Sequence, residues 1–320
     1  MDVVTAIDAE SVADPHPGAA AATRRSGLLW GCAAYLFWGL VTIYWKQLKH
    51  FDAFELIGYR ISSSALLMGV YMGVTGRLRP LLTRLREPAL LRRITIASLV
   101  LTVNWTTYVW AVVHGRVIET ALGYFITPIG LMVAGVFVLH ETLHAVQRGA
   151  LVLAVAAVVV LTIGYGQVPW VSLIIAATWV AYSYIKKQSP LSATESLTAE
   201  TLVLFLPAVA LVLFELTRAD SAPHTASAGD WVLISLTGVV TAIPLLMFAM
   251  AAQRLPLTIM ALVQYIVPTI NFLLGWLAYH ERLNAVRVFG FALVWIGLAA
   301  VSIDSLRRSR TSRVPLGEPA

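Results

Sequence analysis

The sequence predicts an all-α integral membrane protein with about ten transmembrane helices, built as two inverted five-helix repeats. Of its 320 residues, 58% are hydrophobic and 12% are charged, whereas a soluble domain carries roughly 25% charged residues. The apolar residues fall into blocks of about 20, enough to span a hydrocarbon core about 30 Å thick. These blocks and their short connectors fill residues 27–305, which leaves no room there for a separate soluble domain.

Taken in order, the blocks predict helices at residues 27–45, 54–75, 94–113, 118–139, 148–164, 168–185, 198–216, 230–252, 257–279 and 286–304. Between them lie turn-forming segments such as Gly76–Pro80, Gly164–Pro169 and Ser189–Pro190. The polar stretch 196–201 makes the start of the seventh helix the least defined. Residues 1–25 are predicted to be a disordered cytoplasmic tail, and residues 306–320 a basic cytoplasmic tail.

The Lys and Arg residues of the connectors predict the orientation. With the N-terminus in the cytoplasm, the inner segments hold 16 of them and the outer segments 6, and Arg60 lies within the second helix. Cytoplasmic loops carry this excess in bacterial membrane proteins. We therefore expect a multi-pass protein of the plasma (inner) membrane with both termini cytoplasmic. The net charge of +6 is explained by these loops, so the bilayer and not nucleic acid is the expected partner.

An internal repeat divides the chain. Ala121–Val146 and Ala261–Val286, aligned without gaps at an offset of 140, are identical at ten positions, including a proline, a glycine and a His-Glu pair. The offset spans five predicted helices, and because five is odd, the second copy crosses the membrane in the opposite direction. The predicted repeats are residues 26–165 and 166–305. Inverted repeats are typical of secondary transporters that alternate access to a site at the midplane.

Several segments, in the expected order, resemble the RarD group of EamA-type permeases in the drug/metabolite transporter superfamily: GCAAYLFWGLVTIYWK at Gly31–Lys46, Tyr59-Arg60, NWTTYVWAVVHG at Asn104–Gly115, ETALGYFITP at Glu119–Pro128 and QYIVP at Gln264–Pro268. The resemblance covers about residues 26–305. It implies ten helices in two halves, export or exchange of small metabolites, and a central cavity lined by both halves. The group is expected to have Gly before the Glu that ends the fourth helix, where this chain has His140.

Arg60 is the first candidate for a site residue. A cationic side chain within a membrane helix costs roughly 2.5–3.5 kcal/mol on insertion scales and usually faces the bundle interior. Its fork of donors suits a carboxylate, either on a substrate or on the protein. The alternative is a side chain that snorkels to the outer interface.

Other polar and aromatic residues are predicted to line the same cavity: Asn104, Trp105, Tyr108, Tyr124, Gln264 and Tyr265. Asn104 needs hydrogen-bond partners at mid-membrane depth, and these are either another helix or the substrate. Pro128 and Pro268 occupy equivalent positions in the two repeats. Each proline removes a backbone donor, so paired kinks that flank the site are predicted, the alternative being static kinks.

Two charged residues lie toward the predicted outer side. Lys46 ends the first helix and Glu119 begins the fourth. Glu119 is a candidate to pair with Arg60 or Lys46, or to titrate in a proton cycle, and the alternative is a favourable anion at a helix N-terminus. Lys46 is equally well explained as an interface anchor. Proton antiport, exchange and facilitation all stay open.

The segment His140–His144 reads HETLH, which matches the HExxH pattern of zinc peptidases. An intramembrane metalloprotease is therefore an alternative, but the second repeat has Asn284 in place of the second histidine. The favoured role of Glu141 and Glu281 is structural, at equivalent helix ends.

The sequence favours a non-enzymatic secondary transporter of a small metabolite, such as an amino acid or an amphipathic drug, without cofactor or metal. A channel is a further alternative, and a homodimer is compatible with the small residues of the fifth and tenth helices.

Overall fold

The computed structural model describes residues 17–139, 145–165, 167–252, 254–255, 260 and 263–311, in which every regular element is helical. The elements are α1 (Pro17–Gln47), α2 (Ala53–Val74), α3 (Leu78–Arg84), α4 (Pro88–Val113), α5 (Val117–Leu139), α6 (Ala145–Tyr165), α7 (Trp170–Lys187), α8 (Ala193–Glu215), α9 (Ala222–Thr225), α10 (Ala228–Ala252), α11 (Ile266–Leu273), a π-helical segment (Leu274–Ala278) and α12 (Ala285–Thr311). The predicted all-α class is confirmed. The short helices α3 and α9 lie in stretches predicted to be connectors.

Seven helices of the described chain are long and apolar enough to cross a membrane, namely α1, α4, α5, α6, α8, α10 and α12. The chain is therefore a multi-pass membrane protein. α7 and the segment 266–278 are apolar but shorter. α2 has 22 residues, about 33 Å of helix, but Arg60 and the serines at 62–64 lower its hydropathy. The count of ten spans stays a prediction, since part of the predicted span 257–279 lies outside the described residues.

α8 begins earlier than predicted, at Ala193 rather than near residue 198. Ser192 and Glu195 form a capping box, in which the serine hydroxyl accepts from the Glu195 N–H and the glutamate accepts from the Ser192 N–H. Such a box satisfies two N–H groups of the first turn. The polar stretch 196–201 is therefore helical because its start is capped.

Three helix starts recur at the offset of the sequence repeat: Ala53 and Ala193, Pro88 and Ala228, Ala145 and Ala285. The packing recurs as well. α2 packs against its counterpart α8, α6 packs against its counterpart α12, and α1 packs against α10 as α4 packs against α7. The helices that follow one another are thus not always neighbours, and helices from the two halves of the chain interleave in one bundle.

Glu281, which follows the π-helical segment, bonds the start of α5. Its Oε1 accepts a hydrogen bond from the Val117 N–H at 2.6 Å and its Oε2 accepts from the Ile118 N–H at 2.9 Å. Gly275 permits the approach, because a Cβ there would lie 2.6 Å from Ile118 Cγ1. A carboxylate at a helix N-terminus satisfies backbone donors and complements the helix dipole. Glu281 thus has the structural role predicted for it, while Glu141 lies outside the described residues.

His280, next to Glu281, has a left-handed backbone with φ of 52°. This conformation costs an L-residue roughly 1–2 kcal/mol, and glycine avoids most of that cost. We expect His280→Gly to raise the free energy of unfolding by about 0.5–1 kcal/mol, measured by thermal unfolding in detergent. His280→Ala keeps the Cβ and should give no gain. An equal gain in both variants would mean that the imidazole, and not the backbone, is the source of the strain.

Candidate functional site

Arg60 lies in the second turn of α2 with its side chain inside the helix bundle. The residue is only 8% exposed, and its Cζ lies 4.0 Å from the ring centroid of Trp105 and 5.3 Å from that of Trp45. Its Nε donates to Thr241 Oγ1 at 3.1 Å. The side chain therefore faces the interior, and the snorkelling alternative is wrong.

The charge of Arg60 has no carboxylate partner in the described part of the chain, where none of the ion pairs includes it. A buried charge without a counter-charge costs several kcal/mol. The contacts with Trp105 and Trp45 offset part of this cost, at roughly 0.5–2 kcal/mol each. Trp45 Nε1 is also buried without a described partner. A cation and an unused donor between aromatic faces form an arrangement that suits an anionic group.

A buried polar network anchors Tyr108, one turn after Trp105 on α4. Thr42 Oγ1 donates to Asn271 Oδ1 at 2.7 Å, so the Tyr108 hydroxyl, 2.7 Å from Thr42 Oγ1, must be the donor to it. Asn271 Nδ2 donates to Thr120 Oγ1 at 3.3 Å. The four residues come from α1, α4, α5 and α11. The Tyr108 hydroxyl therefore has a structural partner, while its ring still faces the site.

Replacing Thr42 by Val keeps the shape and removes the central hydroxyl of this network. Asn271 Oδ1 and the Tyr108 hydroxyl would then lack their buried partner, which costs about 1–3 kcal/mol. We expect the unfolding midpoint in detergent to fall accordingly. Thr102→Val is the matched control, because Thr102 Oγ1 bonds only the Ser98 carbonyl of its own helix. Equal losses in the two variants would show that the network adds nothing beyond a local helix bond.

A series of aromatic rings runs from Tyr108 to α7. The Tyr108 and Tyr124 centroids lie 6.1 Å apart, Tyr124 and Trp179 lie 6.1 Å apart at 87°, and Trp179 and Tyr182 lie 5.8 Å apart. These separations and angles are those of favourable aromatic pairs. Tyr108 and Tyr124 were predicted to line the site. Trp179 and Tyr182 were not predicted, and they extend the series of aromatic rings along α7 toward its C-terminal end.

Asn104 fulfils the first of its two predicted roles. Its Nδ2 donates to the Ile175 carbonyl at 3.1 Å and to Thr178 Oγ1 at 2.9 Å, so the amide ties α4 to α7. Its Oδ1 is buried and has no hydrogen-bond partner among the described residues. An acceptor in this state is costly unless a ligand or water occupies it. The carbonyl oxygen is thus available to a substrate.

Neither Glu119 nor Lys46 forms the charge pair predicted with Arg60 or with each other. Glu119 Oε1 instead accepts from Arg116 Nε at 2.6 Å, because three residues along a helical turn bring the two side chains together. Lys46 Nζ donates to the Val112 carbonyl at 3.0 Å, near the end of α4. Glu119 keeps one buried oxygen without a described partner, and its role in coupling stays a prediction.

Gln264 and Tyr265 make none of the described contacts with Arg60 or with the aromatic rings beside it. The Tyr265 ring stacks on Phe125 at 6.4 Å, in a separate apolar cluster of α5, α6 and α12. Gln264 makes no side-chain hydrogen bond to any other described residue. Pro128 lies inside α5 as predicted, but Pro268 is the third residue of α11. The first turn of α11 needs no N–H from Pro268. The chain is helical at residue 263, turns at 264–265 and is helical again from Ile266, and the paired kinks stay a prediction because residues 261–262 lie outside the described residues.

The HExxH segment, residues 140–144, lies outside the described residues. Within the part of the chain that the structure covers, no group of three or more His, Cys, Asp or Glu side chains is placed to hold a metal ion.

The chain is similar to known proteins over most of its length. The EamA-like transporter family matches residues 25–163 and again residues 168–303. The chain is 42% identical to Protein RarD of Streptomyces exfoliatus, over 92% of this chain and 93% of that protein. It is 32% identical to the uncharacterized transporter YojE of Bacillus subtilis, over 91% of this chain and 98% of that protein.

It is also 34% identical to the uncharacterized transporter PA0485 of Pseudomonas aeruginosa, again over 91% and 98% of the two chains. A solved crystal structure is similar with a TM-score of 0.56 at 17% identity, over 88% of this chain and 98% of that one, which shows a shared fold. The family matches and the curated relatives each cover most of the sequence. The chain therefore belongs to the EamA-like transporter family.

Proposed function

We propose that the protein is a secondary transporter that carries a small metabolite with an anionic group across the inner membrane by alternating access. The substrate class is an amino acid or a similar amphipathic molecule. The transporter would have ten membrane helices in two inverted repeats, residues 26–165 and 166–305, with both termini in the cytoplasm. Membership of the family supports membrane transport as the general activity. The residues inside the helix bundle support the anionic group of the substrate.

The observation that carries the proposal is the buried Arg60 without a carboxylate partner in the described chain. A protein tolerates a several-kcal/mol penalty of this kind where a ligand offsets it. The guanidinium presents a planar fork to which a substrate carboxylate can bind with two parallel hydrogen bonds. Trp105 and Tyr124 provide aromatic faces beside it, and Asn104 Oδ1 provides an acceptor for a donor group of the same substrate.

The two-repeat architecture is supported by independent observations. The sequence repeat, the helix starts and the helix contacts share the offset of 140 residues, and the family matches the chain twice. A repeat of five membrane helices inverts its copy, and inverted copies exchange conformations when access alternates between the two sides. The orientation with both termini inside rests on the excess of Lys and Arg in the inner segments.

Counterflow in proteoliposomes tests the function directly. Vesicles loaded with an unlabelled amino acid should accumulate the same labelled compound transiently, and uptake should saturate. The panel pairs each amino acid with its methyl ester, because the ester keeps the side chain and loses the anionic group. We expect exchange of an acid but not of its ester. Equal exchange of both would remove the role of the anion, and no exchange by folded protein with any member would contradict the carrier function.

A further inference from the structure

A second buried charge cluster lies on the other side of the bundle, around Glu200 of α8. The Glu200 side chain is 2% exposed. Its Oε1 accepts from Lys186 Nζ at 2.8 Å and from Ser196 Oγ at 2.9 Å, and its Oε2 accepts from the Tyr182 hydroxyl at 3.1 Å. The Lys186 side chain is 27% exposed, so the carboxylate is buried more deeply than its cationic partner, which lies at the end of α7.

This cluster connects two helices that otherwise make little contact. α7 packs mainly against α4 and α5, and α8 packs mainly against α2 and α4, although a short connector joins α7 to α8. The Lys186 and Tyr182 side chains therefore bridge a gap between the predicted cytoplasmic ends of α7 and α8. The Glu200–Lys186 ion pair and the Tyr182–Glu200 hydrogen bond therefore hold these two ends together.

The charges that face Glu200 come from α7. Close to it on α8, positions 197 and 199 pack against apolar side chains of α2, α4 and α10, namely Met68, Met72, Ile94 and Ala242. Arg84 of α3 bonds Glu195 in the first turn of α8 and the Pro190 carbonyl, and Arg93 of α4 bonds the Gln188 carbonyl, so neither bonds Glu200. Within the described chain, Lys186 is thus the cation that balances Glu200, and Tyr182 is its other titratable partner.

The repeat relates this cluster to the Arg60 site. At the offset of 140, Glu200 corresponds to Arg60 and Lys186 corresponds to Lys46, on helices that begin at equivalent residues. The two halves thus carry opposite buried charges at one repeat position, on opposite sides of the proposed membrane. In an inverted-repeat carrier, equivalent positions act alternately as the bundle opens to one side or the other.

The aromatic series provides a physical connection between the two sites. Tyr182, which donates to Glu200, lies next to Trp179, which contacts Tyr124. Tyr124 contacts Tyr108, one helical turn from the Trp105 that covers Arg60. Packed side chains can carry energetic coupling between two sites, and the Glu200 variants below test this for the aromatic series.

We propose that Glu200 is a proton-binding site through which protonation from the cytoplasmic side controls the opening of the carrier. A proton from that side binds a carboxylate oxygen of Glu200, and Lys186 keeps its charge and is hydrated at its exposed end. The ion pair is thereby lost, and the ends of α7 and α8 are released. Breaking the pair without protonation would leave a buried carboxylate uncompensated, which costs about 3–5 kcal/mol. The proposal rests on the carrier function, since the step that protonation controls is the opening of the carrier.

Counterflow measured at equal pH on both sides, over a range of pH, tests the proposal. We expect the wild-type rate to titrate and the Glu200→Gln rate to be independent of pH, because the amide mimics the neutral acid. Lys186→Met should move the midpoint of the pH profile to higher pH, since the carboxylate loses its cation. A merely structural role would lower the rate of both variants without changing either profile.

Glu119→Gln is the comparison variant, since Glu119 is the other buried carboxylate considered for coupling. A profile that flattens in Glu119→Gln and persists in Glu200→Gln would overturn the proposal. Infrared difference spectra of the reconstituted protein between high and low pH give a readout that needs no substrate. A carboxylic-acid band that is present in the wild type and absent in Glu200→Gln supports proton binding even if every counterflow panel fails, and an unchanged band rejects it.

Discussion

Arg60→Met is expected to lower counterflow of an anionic substrate by about 30-fold or more. Truncating one partner of a buried hydrogen-bonded charge pair costs about 2–5 kcal/mol, and each 1.4 kcal/mol is tenfold in affinity. Methionine has similar length and no charge, so the lost element is the guanidinium. Arg60→Lys should retain an intermediate activity, because lysine keeps the charge but lacks the bidentate fork.

The stability of Arg60→Met is expected not to fall, in contrast to its transport activity. Because Arg60 has no described counter-charge, removing it relieves a desolvation cost, and we expect Arg60→Met to unfold in detergent at the same temperature as the wild type or higher. Arg116→Met is the matched control, since Arg116 is paired with Glu119 and its removal leaves a carboxylate unpaired. Loss of stability in Arg60→Met together with loss of transport would indicate a structural arginine and contradict the site.

The sequence predicted those features that depend on local pattern. The helices follow from apolar blocks, and the repeat follows from a gapless alignment, because inserted length would have destroyed the common offset. Arg60 was found because one cation within an apolar block is conspicuous. The start of α8 was missed because hydropathy weighs the polar residues 196–201 against a helix, whereas the capping box at Ser192 and Glu195 favours one.

Contacts between distant helices could not be predicted in this way. Thr42 and Asn271 are 229 positions apart, and no pattern in one sequence shows that their side chains meet. Glu119 was assigned to the wrong partner because several cations lie on the same side, and only the helical turn brings Arg116 to it. Glu200 had an available signal, since it occupies the repeat position of Arg60. The repeat position alone does not predict a buried charge, and the structure shows that both side chains are buried.

Glu281→Ala is expected to lower the free energy of unfolding by about 2–4 kcal/mol, since it leaves two buried N–H groups at the start of α5 without acceptors. Val117 and Ile118 are almost fully buried, and their N–H groups have the Glu281 carboxylate as their acceptor. The measurement is the thermal or denaturant midpoint in detergent, with Arg282→Ala as the control at an exposed neighbouring position. A loss no larger than that of the control would mean that the start of α5 is held by packing alone.

Glu281→Gln separates the charge of this group from its shape. Burial raises the pKa of Glu281 above its ordinary value, and this effect exceeds the opposing effect of the Val117 and Ile118 N–H groups and of Lys46. A raised pKa in the folded state stabilises the fold at acidic pH, and this contribution is lost as pH rises through that pKa. The stability advantage of the wild type over Glu281→Gln should therefore shrink from acidic to neutral pH. An advantage that grows with pH would show that the two N–H groups, and not burial, dominate the ionisation of Glu281.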